Sequence, residues 1–138
     1  MDTLNPSLLA LAGFAGWTLL LLLIVANFRV FNTFFGAKIA INNFSPTGDD
    51  LPGFGHRVTR AHLNCVENLA VFAALVAVAG LSQQFSVMEG TVMCVLYARM
   101  GQSIAHIIST APLMVWIRAG FFFVQVILMA SYAVKLIF

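Results

Sequence analysis

Charge is what this sequence has least of. Of 138 residues only 9% are Asp, Glu, Lys or Arg, seven basic and five acidic, and that scarcity excludes a soluble domain, whose surface needs roughly a quarter of its residues charged. The net charge of +2 rests on too few groups to point to nucleic acid, and no basic run suggests a polyanion partner. Cysteine is nearly as rare. Cys65 and Cys94 stand apart in apolar segments with no second thiol at metal-ligand or redox spacing, so no metal site or disulfide framework is expected and both read as small apolar packers. Internal repeats and low-complexity segments are absent too. What fills the space is apolar, 61% of the chain with a mean hydropathy of +0.95, which implies an integral membrane protein. Asp2, rather than a basic start, heads an apolar run that is long for a signal-peptide core and lacks a clear small-residue cleavage site. That run is expected to stay as a first helix, with no soluble domain flanking the membrane part.

Four spanning segments can be counted, since each needs about 20 apolar residues. No residue from Thr3 to Phe28 is charged, and helix 1 is expected over about 7–28. Residues 31–55 hold Asn42-Asn43, Ser45-Pro46-Thr47-Gly48, Asp49-Asp50 and Pro52-Gly53, all turn signals, and form the one long loop. Helix 2 is expected over about 56–80, helix 3 over about 87–109 and helix 4 over about 113–136. Ser82-Gln83-Gln84 links helices 2 and 3, and Pro112 marks the turn before helix 4, because proline disfavours helix at the residue before it. The fold class is therefore an all-α membrane protein, a single four-transmembrane-helix bundle over residues 1–138. Arg29, Lys38, Arg57 and Arg60 cluster around the first loop and Arg118 lies just past the third, while the second loop has no Lys or Arg. By the positive-inside rule the first and third loops face the cytoplasm and the N-terminus lies on the opposite side. Only Lys135 counts against this.

The polar residues of helix 2 are patterned. Arg57, Arg60, Asn64, Glu67 and Asn68 follow helical steps and gather into one stripe. Each isolated charge within a bilayer costs roughly 2.5–3.5 kcal/mol on insertion scales, so such groups face a protein interior, a partner or a ligand. Helices 2 and 3 are joined by a short link and should pack antiparallel, which at about 1.5 Å of rise per residue puts Glu67 level with Arg99 and His106 level with Arg60 to His62. Arg118, entering from the same end, completes a cluster of cations around one carboxylate. Arginines fork onto carboxylates and Glu67 can receive an ammonium, so the cluster suits a small polyanion that carries an amine. Glutathione has that make-up, with two carboxylates, one amine and a thiol whose ionisation a nearby arginine favours.

Arg57-Val-Thr-Arg60-Ala-His62-Leu-Asn64-Cys-Val-Glu67-Asn68, with Tyr97-Ala-Arg99 and Arg118-Ala-Gly-Phe-Phe downstream, resembles the MAPEG family, the membrane-associated proteins of eicosanoid and glutathione metabolism. The likeness covers nearly the whole chain. It implies a homotrimer with glutathione as co-substrate, bound between subunits near the cytoplasmic side. By position it assigns Arg60, Asn64 and Glu67 on helix 2 and Arg99 on helix 3 to glutathione, with Arg29 supplied by the neighbouring subunit and His106 beside them. Arg118 matches the arginine that approaches the thiol. His106 stands where many members have tyrosine, and Ala119 where the prostaglandin-forming members have serine, which argues against a prostaglandin isomerase.

The resemblance thus implies a transferase or peroxidase that joins glutathione to lipophilic electrophiles or reduces lipid hydroperoxides arriving from the bilayer. Other readings are a noncatalytic member that binds lipid or a protein partner, and a proton or ion pathway through Glu67, His62 and His106, the residue types of membrane relays. Blander roles stand beside these. Arg57 suits an interfacial snorkeller, Asn64 suits interhelical glue, the Glu67 and Arg99 pair suits a structural ion pair, and His62 suits packing. Trp116 and Tyr132 read as interfacial belt residues, and Phe121 to Phe123 as lipid-facing or core.

Overall fold

The computed structural model describes residues 4–36, 38–40, 42–51 and 53–138; Asp2 and Pro52, one of the residues read above as turn signals, lie outside them. Four helices follow in order: α1 (Pro6–Phe34), α2 (Phe54–Leu81), α3 (Val92–Ile108) and α4 (Pro112–Ile137), with a short 3-10 turn at Phe85–Met88. Three of them, α1, α2 and α4, are long and apolar enough to cross a membrane, and the chain is an integral multi-pass membrane protein. α3 has 17 residues and rises about 25 Å, short of the roughly 30 Å hydrocarbon core.

Local chemistry sets the ends. Pro6 sits in the first turn of α1, where a missing N–H costs nothing, and Asn5 Oδ1 accepts from the Ser7 amide at 2.9 Å. Pro112 opens α4 in the same way. α1 runs past the expected end at Phe28 to Phe34, because hydropathy reports contact with lipid and not helix. Nothing in 29–34 breaks the ladder, and Asn32 and Thr33 fold their side chains back onto the Phe28 and Arg29 carbonyls. α3 starts later than expected, at Val92, since Gly90 takes a φ of +77° and interrupts the chain after the 3-10 turn.

Inside a bilayer the burial of apolar surface drives helix association little, and close packing takes its place. The buried positions of α1, Ser7, Ala10, Phe14, Thr18, Leu21 and Val25, step by three and four and form a continuous seam against α2. Phe14 meets Phe72 across it, ring centroids 5.7 Å apart. Glycine lets other side chains in. A methyl on Gly101 would lie 2.7 Å from Phe121 Cζ, and one on Gly13 2.8 Å from Leu96 Cδ2. α1 with α2 and α3 with α4 form the main pairs, α3 also touches α1 and α2, and α4 meets α2 only sparingly. A cleft therefore opens between α2 and α4 with α3 as its floor.

One aromatic reading is corrected. Tyr132 is not a belt residue: it is 1% exposed, and its hydroxyl lies 2.9 Å from Thr91 Oγ1, so its polar tip is satisfied by protein rather than by the interface. The three phenylalanines divide, with Phe121 packed on Gly101 and Phe123 exposed, while Phe122 turns into the cleft. Trp116 is 76% exposed. Cys65 is buried and approaches Ser103 Oγ at 3.3 Å, whereas Cys94 is exposed.

Candidate functional site

Arg57, Arg60 and Asn64 step by three and four along α2, so their side chains share the face that looks into the cleft. Three interhelical bonds fix the register there. Arg57 Nε donates to the Ile107 carbonyl at 2.7 Å, Arg99 Nη1 to the Asn64 carbonyl at 3.2 Å, and Gln125 Nε2 to Gln102 Oε1 at 3.1 Å. Between α2, α3 and α4 lies a cavity of about 500 Å³, within the range of small-molecule sites. Ordered by rise along the helices, its lining runs from His56 and Arg57 at the rim through Arg60, His106 and Arg118 to Asn64, Gln102 and Phe122 at the deep end. A smaller cavity of about 160 Å³ adjoins it, sharing Arg60, Asn64 and His106 and adding Glu67.

Below the polar cavity the same cleft becomes apolar. One helical turn past Asn64 and Phe122, Asn68 and Val126 begin a groove of about 320 Å³, and beyond it Val71, Leu75 and Ala133 continue into a space of about 530 Å³. Polar and apolar compartments thus lie end to end between α2 and α4.

The charges in the polar compartment are unbalanced. Among the described residues the one ion pair is His56 Nδ1 with Asp49 Oδ1 at 3.7 Å. Arg60 and Arg118 make no hydrogen bond or ion pair within the chain, again among the described residues. Arg57 spends its Nε on the end of α3, satisfying one of the last carbonyls that helix geometry leaves open. Among the described residues, Glu67, itself exposed, is the only carboxylate on either cavity wall. Such a wall favours a ligand with more than one acidic group and a single cationic one.

Of the residues singled out from sequence, Arg60, Asn64, Glu67, His106 and Arg118 come together around the two cavities. Arg99 and Arg29 do not join them. Arg99 is 1% exposed and turns toward α1, its guanidinium 5.4 Å from the centre of the Phe14 ring. Its Nη1 reaches the Asn64 carbonyl, one turn from Glu67, but among the described residues no Glu67–Arg99 ion pair forms. Arg29 stays by the first loop, donating from Nη2 to the Ser45 carbonyl at 2.9 Å with its guanidinium over Phe44. His62 is also turned away from the cavities, toward Thr18 of α1. The relay set Glu67, His62 and His106 is therefore split between two sides of α2.

Three residues escaped the sequence reading. His56 takes part at the rim, held near Gly48 O at 3.1 Å. Gln102 lines the deep end and Gln125, 0% exposed, stands directly behind it. A signal for Gln125 existed, because it is the one polar side chain between Gly120 and Ala130, and a lone polar group in a membrane segment is costly enough to need a partner.

The chain has no match among curated proteins or solved structures. The MAPEG family, by contrast, matches residues 7–138, a span that holds all of α2, α3 and α4, all of α1 but Pro6, and every cavity described above. With this match over nearly its full length, the chain belongs to the MAPEG family, a family of glutathione-related membrane enzymes.

Proposed function

We propose that the protein is a glutathione-dependent membrane transferase or peroxidase, with glutathione in the arginine-lined cavity and a lipophilic second substrate in the apolar groove. The observation that carries this reading is the pair of guanidinium groups, Arg60 and Arg118, that have no partner among the described residues, on a wall whose only carboxylate among those residues is Glu67. Glutathione fits that donor set: its carboxylates take arginines bidentately, its ammonium takes Glu67, and Asn64 and His106 offer polar contacts between them. Arg118 stabilises the thiolate electrostatically in a site partly shielded from water. The sulfur then attacks an electrophilic carbon, forming the C–S bond as the leaving group departs. With a hydroperoxide, two glutathiones give the disulfide, the alcohol and water.

Family membership supports this chemistry and supports a homotrimer in which Arg29 reaches the cavity of a neighbouring subunit, since within one chain it lies apart from the cavity. We place the first and third loops, and hence the cavity mouth, on the cytoplasmic side, where glutathione is available. The apolar groove also suits a noncatalytic lipid-binding role, which becomes the preferred reading only without glutathione binding.

Isothermal titration of glutathione into the detergent-purified protein tests the proposal. Saturable binding, lost in Arg60→Ala and in Glu67→Ala, is the expected outcome. No binding at millimolar glutathione overturns it.

A further inference from the structure

The two buried amides at the deep end of the polar cavity define a direction that no single residue does. Gln125 Nε2 donates to the Phe121 carbonyl at 2.9 Å and to Gln102 Oε1 at 3.1 Å. A carbonyl accepts only, so the Phe121 carbonyl dictates which end of the Gln125 amide is nitrogen; the flipped form would set oxygen against oxygen. Gln125 Nε2 in turn dictates that Gln102 presents its oxygen backward. The Gln102 amide nitrogen, with both N–H groups, is left on the cavity side, and it makes no hydrogen bond within the chain among the described residues. Gln102 is 4% exposed and Gln125 0%, so neither amide is free to reorient by way of solvent.

The place of this donor matters as much as its direction. Arg57 and Arg60 lie at the rim and middle, where they meet carboxylates; Arg118 adds its charge toward the sulfur from α4, and Gln102 lies deeper on α3. One turn further along α2 and α4 the apolar groove begins at Asn68 and Val126. A nucleophile that must meet an apolar electrophile belongs at that junction. Resting on the glutathione reading above, we propose that Gln102, held in one orientation by Gln125, donates a hydrogen bond to the sulfur of bound glutathione and favours its thiolate. Ionisation breaks the S–H bond and passes the proton to water at the open mouth of the cavity. A fixed neutral donor stabilises the anion without adding another charge to the membrane interior. Gln102 touches the reacting atom; Gln125 is a positioning residue.

The experiment uses the full chain in detergent, with bound thiolate read by its ultraviolet absorbance across a pH series, and glutathione and S-methylglutathione affinities read by calorimetry. Gln102→Met is expected to lower the thiolate fraction at fixed pH about tenfold, the effect of losing one hydrogen bond to a charged group. Affinity for S-methylglutathione, which has no thiol proton to lose, is expected to stay unchanged. Gln125→Met keeps the donor but frees it, and should lower the thiolate fraction by a smaller factor; it decides the question if Gln102→Met does not fold. An unaltered thiolate fraction in these variants overturns the inference, as does an equal loss of S-methylglutathione, which would make Gln102 a general part of the wall. Absence of glutathione binding by the wild-type protein overturns the functional reading itself, a different failure that the same titration identifies.

Discussion

Arg57 and Arg60 stand one turn apart on the same face of α2 and are used differently. Arg57 Nε is bonded to the Ile107 carbonyl at 2.7 Å, so its first task is to close the end of α3. Arg60 is exposed and bonded to nothing within the chain among the described residues, so in the proposed function its charge is held for glutathione. Arg57→Gln should therefore lower stability by about 1 kcal/mol, the scale of interhelical hydrogen bonds in membranes, seen as an earlier thermal transition in detergent. Arg60→Gln should leave that transition in place and weaken glutathione binding by about tenfold or more. If the two substitutions act alike, the division between a structural and a ligand-binding arginine is wrong. Arg99 gives a third comparison. It touches the site only through the Asn64 carbonyl, and its buried guanidinium is incompletely bonded. Arg99→Met should consequently weaken glutathione less than Arg60→Gln does in the same titration, although the family resemblance alone ranks the two arginines equally.

At the scale of elements, what could be read from sequence was depth, and what could not was rotation. A fixed rise per residue put Glu67 level with Arg99 and His106 level with Arg60; Arg60 and His106 line the same two cavities, and Arg99 reaches the Asn64 carbonyl one turn from Glu67. Which side a residue faces depends on the phase of its helix against its neighbours, at about 100° per residue, and local sequence does not set it. Arg99 and Gln102 are three positions apart, yet the first turns to Phe14 on α1 and the second to Gln125 on α4. The stripe on α2 was legible because a single helix supplies it. The partnership of Gln102 with Gln125 was not, because it needs the register of two helices. That register depends on Gly101, where an added methyl would meet the Phe121 ring at 2.7 Å. Gly101→Ala is expected to cost about 1–3 kcal/mol by overpacking. The double variant with Phe121→Leu should recover much of the loss, because the two sites share one contact. Thermal unfolding of the four proteins of that cycle checks it; additive losses would mean that the close approach does not set the helix pair.

The whole molecule presents a cleft that is cationic at one end and apolar at the other, with one unpaired carboxylate at the cationic end. Composition foreshadowed the contrast, since the few charges sit near the loops of one end. It did not show that α4 would lean on α3 and leave α2 uncovered, which is what makes the cleft. A single chain also leaves Arg29 apart from its own cavity, beside Ser45 and Phe44 of the first loop. In the proposed homotrimer that arginine serves the next subunit, so each site is assembled from two chains. Genetic mixing tests this directly. Arg29→Ala and Arg60→Ala subunits, purified separately, should each bind glutathione poorly. When the two are co-expressed and assemble at random in equal amounts, about a quarter of the interfaces pair an intact Arg60 with an intact Arg29 from the neighbour, and those interfaces should bind at wild-type affinity. Calorimetry of the mixed assembly should accordingly show a tight class of sites that neither parent has. If Arg29 instead acts within its own chain, every subunit in the mixture remains defective, no tight class appears, and the shared site is excluded.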